Sequence, residues 1–306
     1  MSNESKSWVY LIFLSAIWGS SFILMKKAMF TDDHALIFSN TQVASMRVFI
    51  ASAVLLPFAI RAVRKISSKK EFMLLALVGS CGNFFPAFLF TFAETGLSSG
   101  YAGMLNSFTP IFALVIGFVV FRERLTGLQM IGVGIGTVGV VLLMLAGQNL
   151  SMTGGWIHII AIVIATLCYA ISLNTIKYTL QKFRSIEITS LSFLILLLPS
   201  AIIAWQQGSI ERIKTNPHAM DGLMYITILS IVGTAFAVIV FNKLVTMSSV
   251  LFTSSVTYLI PIFAVIIGLY FKEEISTNQI GAMCVVFLGI FTANVLSRFK
   301  KKPVKP

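Results

Sequence analysis

Ten stretches of mostly apolar residues run along the chain, separated by short polar segments. Each approaches the length of about 20 residues that a helix needs to cross a bilayer. The pattern predicts helices over 8–25, 41–60, 72–93, 98–120, 127–146, 156–177, 188–205, 221–242, 250–271 and 277–297. The polar segments between them are too short to hold a separate soluble domain. In hydrocarbon a helix satisfies its own backbone groups, so the expected fold is an all-α polytopic membrane protein with ten transmembrane helices.

Composition supports the solvent that this pattern implies. Only 11% of the residues are charged and 57% are hydrophobic, against about a quarter charged in ordinary soluble domains. The net charge of +12 comes from short basic runs between apolar stretches, among them Arg61, Arg64, Lys65, Lys69 and Lys70 and a tail holding Arg298, Lys300, Lys301, Lys302 and Lys305. That placement suits orientation and lipid headgroups rather than a nucleic-acid face. With the N-terminus in the cytoplasm, 17 of the 23 Lys and Arg fall in inner segments and five, Lys26, Lys27, Arg212, Lys214 and Lys272, in outer ones. The bias predicts both termini cytoplasmic in a cell inner membrane, as an even number of spans requires. The first apolar run shows no small-residue cleavage site and is expected to stay. Cys81, Cys168 and Cys284 each sit midway along an apolar stretch without CxxC spacing, and read as packing residues.

The chain also repeats itself at an offset of 151 residues. Trp18, Ser21 and Lys26 fall over Tyr169, Ser172 and Lys177, and Pro110-Ile111-Phe112-Ala113 over Pro261-Ile262-Phe263-Ala264. One residue out of step, Phe121-Arg122-Glu123-Arg124-Leu125-Thr126 matches Phe271-Lys272-Glu273-Glu274-Ile275-Ser276, with Gln129 over Gln279. Residues 1–150 and 151–306 are thus expected to be two five-helix repeats. An odd number of helices per repeat inverts the second relative to the first, an arrangement that recurs in secondary transporters around a midplane site.

On these residues the chain resembles the EamA family of the drug/metabolite transporter superfamily. The likeness lies in the aromatic-Gly-small pattern of Trp18-Gly19-Ser20, in Pro110 followed by the Glu123-Arg124-Leu125-Thr126 junction with Gln129 and Gly132, and in Pro261 followed by Glu273, Ile275, Ser276, Gln279 and Gly281. The Gly that usually precedes the junction Glu is Arg122 or Lys272 here. The resemblance implies two five-helix repeats and transport, with efflux as the usual direction. It does not specify a substrate, since the family handles amino acids, nucleosides, drugs and other metabolites.

Arg47 is the one basic residue well inside a predicted span. Such a charge faces a partner or a water-filled cavity. It either anchors a substrate carboxylate or phosphate or pairs with Glu94 at the end of the third helix; Glu187 and Lys243 offer a loosely corresponding pair in the second half. Trp18, Ser21, Asn83, Asn106, Tyr169, Ser172, Asn174, Thr257 and Tyr258 are the further candidates for a substrate-binding cavity. Taken singly, each suits interhelical hydrogen bonding or packing as well. Pro86, Pro110 and Pro261 permit kinks. Gly132 with Gly136, and Gly289 with Ala293, have the spacing of close helix packing. The Asp32-Asp33-His34 run is expected to be solvated rather than a metal site.

Other classes lack their signatures. No Ser/His, HExxH or aspartate-rich metal pattern sits where a membrane-embedded enzyme would need it, so no enzyme and no cofactor is expected. A channel would call for repeated rings of charge. A nucleotide-sugar or sugar-phosphate exchanger is the alternative carrier, and would call for several buried basic residues. The expectation is a secondary transporter that moves, and by the family likeness exports, a small metabolite such as an amino acid by alternating access. Its partners are the small-molecule substrate and the lipid bilayer, with no nucleic acid; a homodimer is compatible with the sequence.

Overall fold

The computed structural model describes residues 3–123, 126–146, 155–254, 256–271 and 274–293. The basic tail, the last residues of the predicted 277–297 helix, and Arg124, Leu125, Lys272 and Glu273 of the two junctions lie outside them. Among the described residues the structure is helical throughout, apart from turns and one isolated bridge between Phe30 and Leu36.

Eight helices are long and apolar enough to cross a membrane. They are α1 (Asn3–Met29), α2 (Asn40–Ala62), α3 (Lys69–Ala93), α4 (Ser99–Val119), α6 (Gly155–Thr179), α7 (Ser185–Gln206), α8 (Ala219–Met247) and α9 (Val250–Ser254 and Val256–Tyr270). Two more apolar helices, α5 (Gly127–Ala146) and α10 (Thr277–Phe291), follow the two junctions. A short helix not expected from the hydrophobic pattern, Ser209–Thr215, sits between α7 and α8.

The junction motif has a direct physical reading. Thr126 and Gln129 cap each other's backbone N–H groups at 2.7 and 3.3 Å, and Ser276 and Gln279 do the same at 3.0 and 3.2 Å. Both pairs are capping boxes that satisfy orphan donors at a helix start. Ser39 with Gln42 forms a third at α2.

Three spans are not continuous α-helix. In α4 the turn Asn106–Phe108 narrows to a 3₁₀ turn. Pro110 has no N–H for the Asn106 carbonyl, which instead accepts the Thr109 N–H and, at 3.0 Å, the Thr109 hydroxyl. In α3 and α8 the backbone widens into π-turns, at Ser80–Phe84 and Ile231–Phe236. These two stretches begin 151 residues apart.

Packing follows the same exchange. α1 lies against α9 and α8, as α6 lies against α4 and α3; α2 pairs with α7, and α5 with α10. Swapping the halves maps the contacts of α1 onto those of α6 and leaves the α2–α7 and α5–α10 pairs on themselves. The α5–α10 seam is built on absent side chains. A Cβ at Gly132 would stand 2.5 Å from the Gly289 carbonyl and the Ala293 N, and one at Gly289 would collide with the Gly136 backbone. The two small-residue motifs therefore pack on each other.

One end of the bundle is tied by charge and the other by loops. Lys65 binds Glu187 at 2.5 Å and Lys182 binds Glu71 at 2.9 Å, linking the 62–71 and 179–187 segments. At the other end Arg212 donates to the Leu36 and Ile37 carbonyls and Gln42 to the Gln207 carbonyl. Glu187 thus pairs with Lys65 rather than with Lys243, which reaches the Tyr10 hydroxyl at 3.2 Å.

Candidate functional site

The residue spacing on each helix decides what can meet at the centre. On α6, Tyr169, Ser172, Leu173 and Ile176 follow the 3, 4, 7 rhythm of a single helical face, and that face borders a cavity. On α9 the face is Ser254, Thr257 and Ile260. The cavity offers about 100 Å³ to the centres of water-sized spheres, within about 1080 Å³ of atom-free space that includes its opening. One water needs only about 10–15 Å³ by the first measure. The described lining comes from α1 to α4 and from α6 to α9, and none of it from α5 or α10.

Two aromatic pairs stand at matching positions. Trp18 of α1 meets Phe241 of α8 with ring centroids 5.0 Å apart, and Tyr169 of α6 meets Phe90 of α3 at 5.9 Å. Each pair member is the other's counterpart at the 151 offset. The π-turns lie beside them. Gly82 packs on Ser172 so closely that a Cβ would be 2.5 Å from its Oγ, and Gly233 packs on Ser21 at 3.0 Å by the same measure. Trp18 Nε1 donates to the Gly233 carbonyl at 3.0 Å.

Arg47 breaks this symmetry. It is the one charged residue among the described lining. Its Nε donates to Thr234 Oγ1 at 2.8 Å, and its Nη1 lies 3.5 Å from Met25 Sδ. Thr234 in turn donates to the Leu229 carbonyl at 2.9 Å. The hydrogen bond that Arg47 makes across the cavity is thus to an α8 hydroxyl. Among the described residues, Thr234 and Met25 give the hydrogen-bond contacts of the guanidinium. Glu94, only 2% exposed and one turn beyond Phe90, lies at the end of α3.

Of the candidate residues, Trp18, Ser21, Arg47, Asn83, Asn106, Tyr169, Ser172 and Thr257 line this one cavity. Asn174 and Tyr258 do not. Asn174 Nδ2 donates to the Ala113 carbonyl at 3.0 Å and the Ala170 carbonyl at 2.9 Å, fastening α6 to α4. Tyr258 packs with Ile111 and Val286, on the side of α9 turned toward α10. Further lining polar groups, Thr189, Ser192, Thr234 and Asn242, lie on α7 and α8. Phe90, Phe241 and Thr234 could have been found by carrying the 151 offset through the third and eighth helices.

The two halves of the chain, residues 6–145 and 156–295, each match the model of the EamA-like transporter family. The chain belongs to this family. Relatives of the EamA type extend along nearly its full length. It is 26% identical to the S-adenosylmethionine/S-adenosylhomocysteine transporter of Chlamydia muridarum, over 92% of this chain and 89% of that one. It is 21% identical to a probable terminal-alkyne amino-acid exporter of Streptantibioticus cattleyicolor, over 89% and 87%. An uncharacterized transporter of Archaeoglobus fulgidus is 24% identical over 94% and 98%. In fold, the chain matches a solved crystal structure with a TM-score of 0.66 at 14% identity, covering 97% of this chain and 99% of the other. The protein is therefore a multi-pass membrane protein of a transporter family.

Proposed function

We propose that this chain is a secondary transporter that exports a small metabolite bearing a carboxylate, with an amino acid as the leading class, by alternating access. The observation that carries the reading is the cavity shared by the two halves, with a single guanidinium set among aromatic walls. A buried Arg in a span is costly unless paired or facing a polar ligand, and Arg47 presents the forked geometry that suits a carboxylate. The aromatic pairs supply surface for an apolar side chain. The names of two relatives, an S-adenosylmethionine/S-adenosylhomocysteine transporter and a probable terminal-alkyne amino-acid exporter, both point to amino-acid-like solutes, which supports the same class. A sugar-phosphate exchanger fits less well, because the described lining holds one cation rather than several.

In this reading residues 1–150 and 151–306 are two inverted five-helix units, with α5 and α10 as the ninth and tenth spans beside the eight long ones. Both termini lie in the cytoplasm of an inner membrane, following the distribution of Lys and Arg. The units rock about the α5–α10 and α2–α7 seams and expose the cavity to each side in turn.

The test is counterflow in proteoliposomes loaded with amino acids, nucleosides or sugar phosphates, for the native chain and Arg47→Ala. The reading expects exchange of amino acids that Arg47→Ala reduces by about 10–100-fold, the worth of hydrogen bonds to a charged group. Exchange of sugar phosphates in preference to amino acids, or none at all from a folded preparation, contradicts it.

A further inference from the structure

The two π-turns occupy equivalent places, yet their chemistry differs at three matched positions. In the second half the bulge is satisfied. Ala237 N–H reaches back five residues to the Val232 carbonyl, Trp18 Nε1 takes the Gly233 carbonyl at 3.0 Å, and Thr234 accepts from Arg47. In the first half the counterparts are Pro86, Tyr169 and Asn83. Phe85 N–H reaches back to the Ser80 carbonyl, and Pro86 has no N–H to give. The Cys81 and Gly82 carbonyls are left with at most one backbone donor between them. Tyr169 has no ring N–H to play the part of Trp18. Among the described residues neither the Asn83 amide nor the Tyr169 hydroxyl has a hydrogen-bond partner in the protein, although both line the cavity. Buried polar groups in native proteins are satisfied by protein, water or ligand.

The leftover groups narrow the ligand. A backbone carbonyl and the Asn83 amide oxygen are acceptors, and an ammonium group brings three donors to them.

We infer that the π-turn Ser80–Phe84, with its spare carbonyl and the Asn83 side-chain oxygen, is a subsite for the ammonium group of a zwitterionic substrate whose carboxylate binds Arg47. The inference rests on the transport reading and narrows it from carboxylates to zwitterions. Pro86 creates the subsite by withholding a donor, and Asn83 completes it with an acceptor. The second π-turn has no such role, since Trp18 and Arg47 already occupy it.

The experiment is counterflow of leucine, methionine and phenylalanine, each beside its desamino acid and its decarboxylated amine, in sodium-containing and sodium-free buffers. The native chain is expected to exchange at least one of the amino acids at least tenfold faster than either analogue, without needing sodium. Asn83→Leu removes the acceptor, and Tyr169→Trp introduces an indole N–H aimed at Gly82 as Trp18 aims at Gly233. Each variant should lower the ratio of amino acid to desamino acid by about tenfold, whatever its absolute rate. Equal exchange of amino acid and desamino acid by the native chain overturns the subsite while the transport reading stands. A strict sodium requirement also overturns it, because a free cation would then be the ligand of the bulge. An unchanged ratio in both variants does the same. Absence of exchange of any solute, in a preparation that is folded and inserted, overturns the transport reading and the subsite with it.

Discussion

The first and second halves of this chain share a backbone plan and divide the chemistry between them. Both set an aromatic pair, a widened helical turn and a serine against a glycine at positions 151 residues apart. The second half spends its polar groups on the protein: Thr234 holds Arg47 and the Gly233 carbonyl holds Trp18. The first half leaves Asn83 and Tyr169 facing the cavity. On the proposed transport reading, symmetry of this kind keeps the two states of a rocking carrier close in energy. Departures from symmetry at single residues give the site its polarity, because a symmetric cavity could not tell one end of a solute from the other.

The comparison can be broken at several points. The largest effect is expected at Arg47, where Arg47→Ala should cut transport by about 10–100-fold, with Arg47→Lys intermediate because it keeps the charge and loses the fork. Kinetics of exchange against solute concentration measure it. Next is the seam that holds the halves together. Gly289→Leu places a side chain against the Gly136 backbone, and overpacking of this kind costs about 1–3 kcal/mol; a lowered unfolding temperature in detergent checks it. Trp18→Phe removes the indole donor to the Gly233 carbonyl and should cost about 1 kcal/mol, making the second bulge resemble the first. Smallest is Lys65→Ala. Its ion pair with Glu187 involves a lysine side chain that is 53% exposed, and such pairs contribute below about 1 kcal/mol. Glu187 also keeps its bond to the Arg184 backbone N–H at 3.0 Å.

Much of this was legible in the sequence, and the misses have physical reasons. Apolar run lengths located the helices to within a few residues, since lipid imposes a length. The ends of α1 and α8 run on, to Met29 and Met247, because polar residues continue a helix once it leaves hydrocarbon. The π-turns were not legible, because the spans are apolar on nearly every face and a one-residue shift of phase has no polar face to displace. Asn174 was grouped with Tyr169 and Ser172 by proximity along the chain, yet it lies two residues past Ser172, well around the helix, and so faces α4. Thr257 and Tyr258 divide for the same reason, adjacent residues being about 100° apart. The contact of Arg47 with Thr234 was not legible, because that residue lies on a helix 187 residues away in sequence.

The central claim is that one cavity between two halves opens to each side of the membrane in turn. It is tested most directly by placing a cysteine at Val238, which borders the cavity, in a chain whose Cys81, Cys168 and Cys284 are replaced. Reaction with a membrane-impermeant maleimide is then followed from each face of oriented vesicles. The account predicts that an exchangeable amino acid on one side lowers reactivity from one face while raising it from the other. Reactivity from a single face that no solute alters, or from both faces at once without exchange between them, would contradict it.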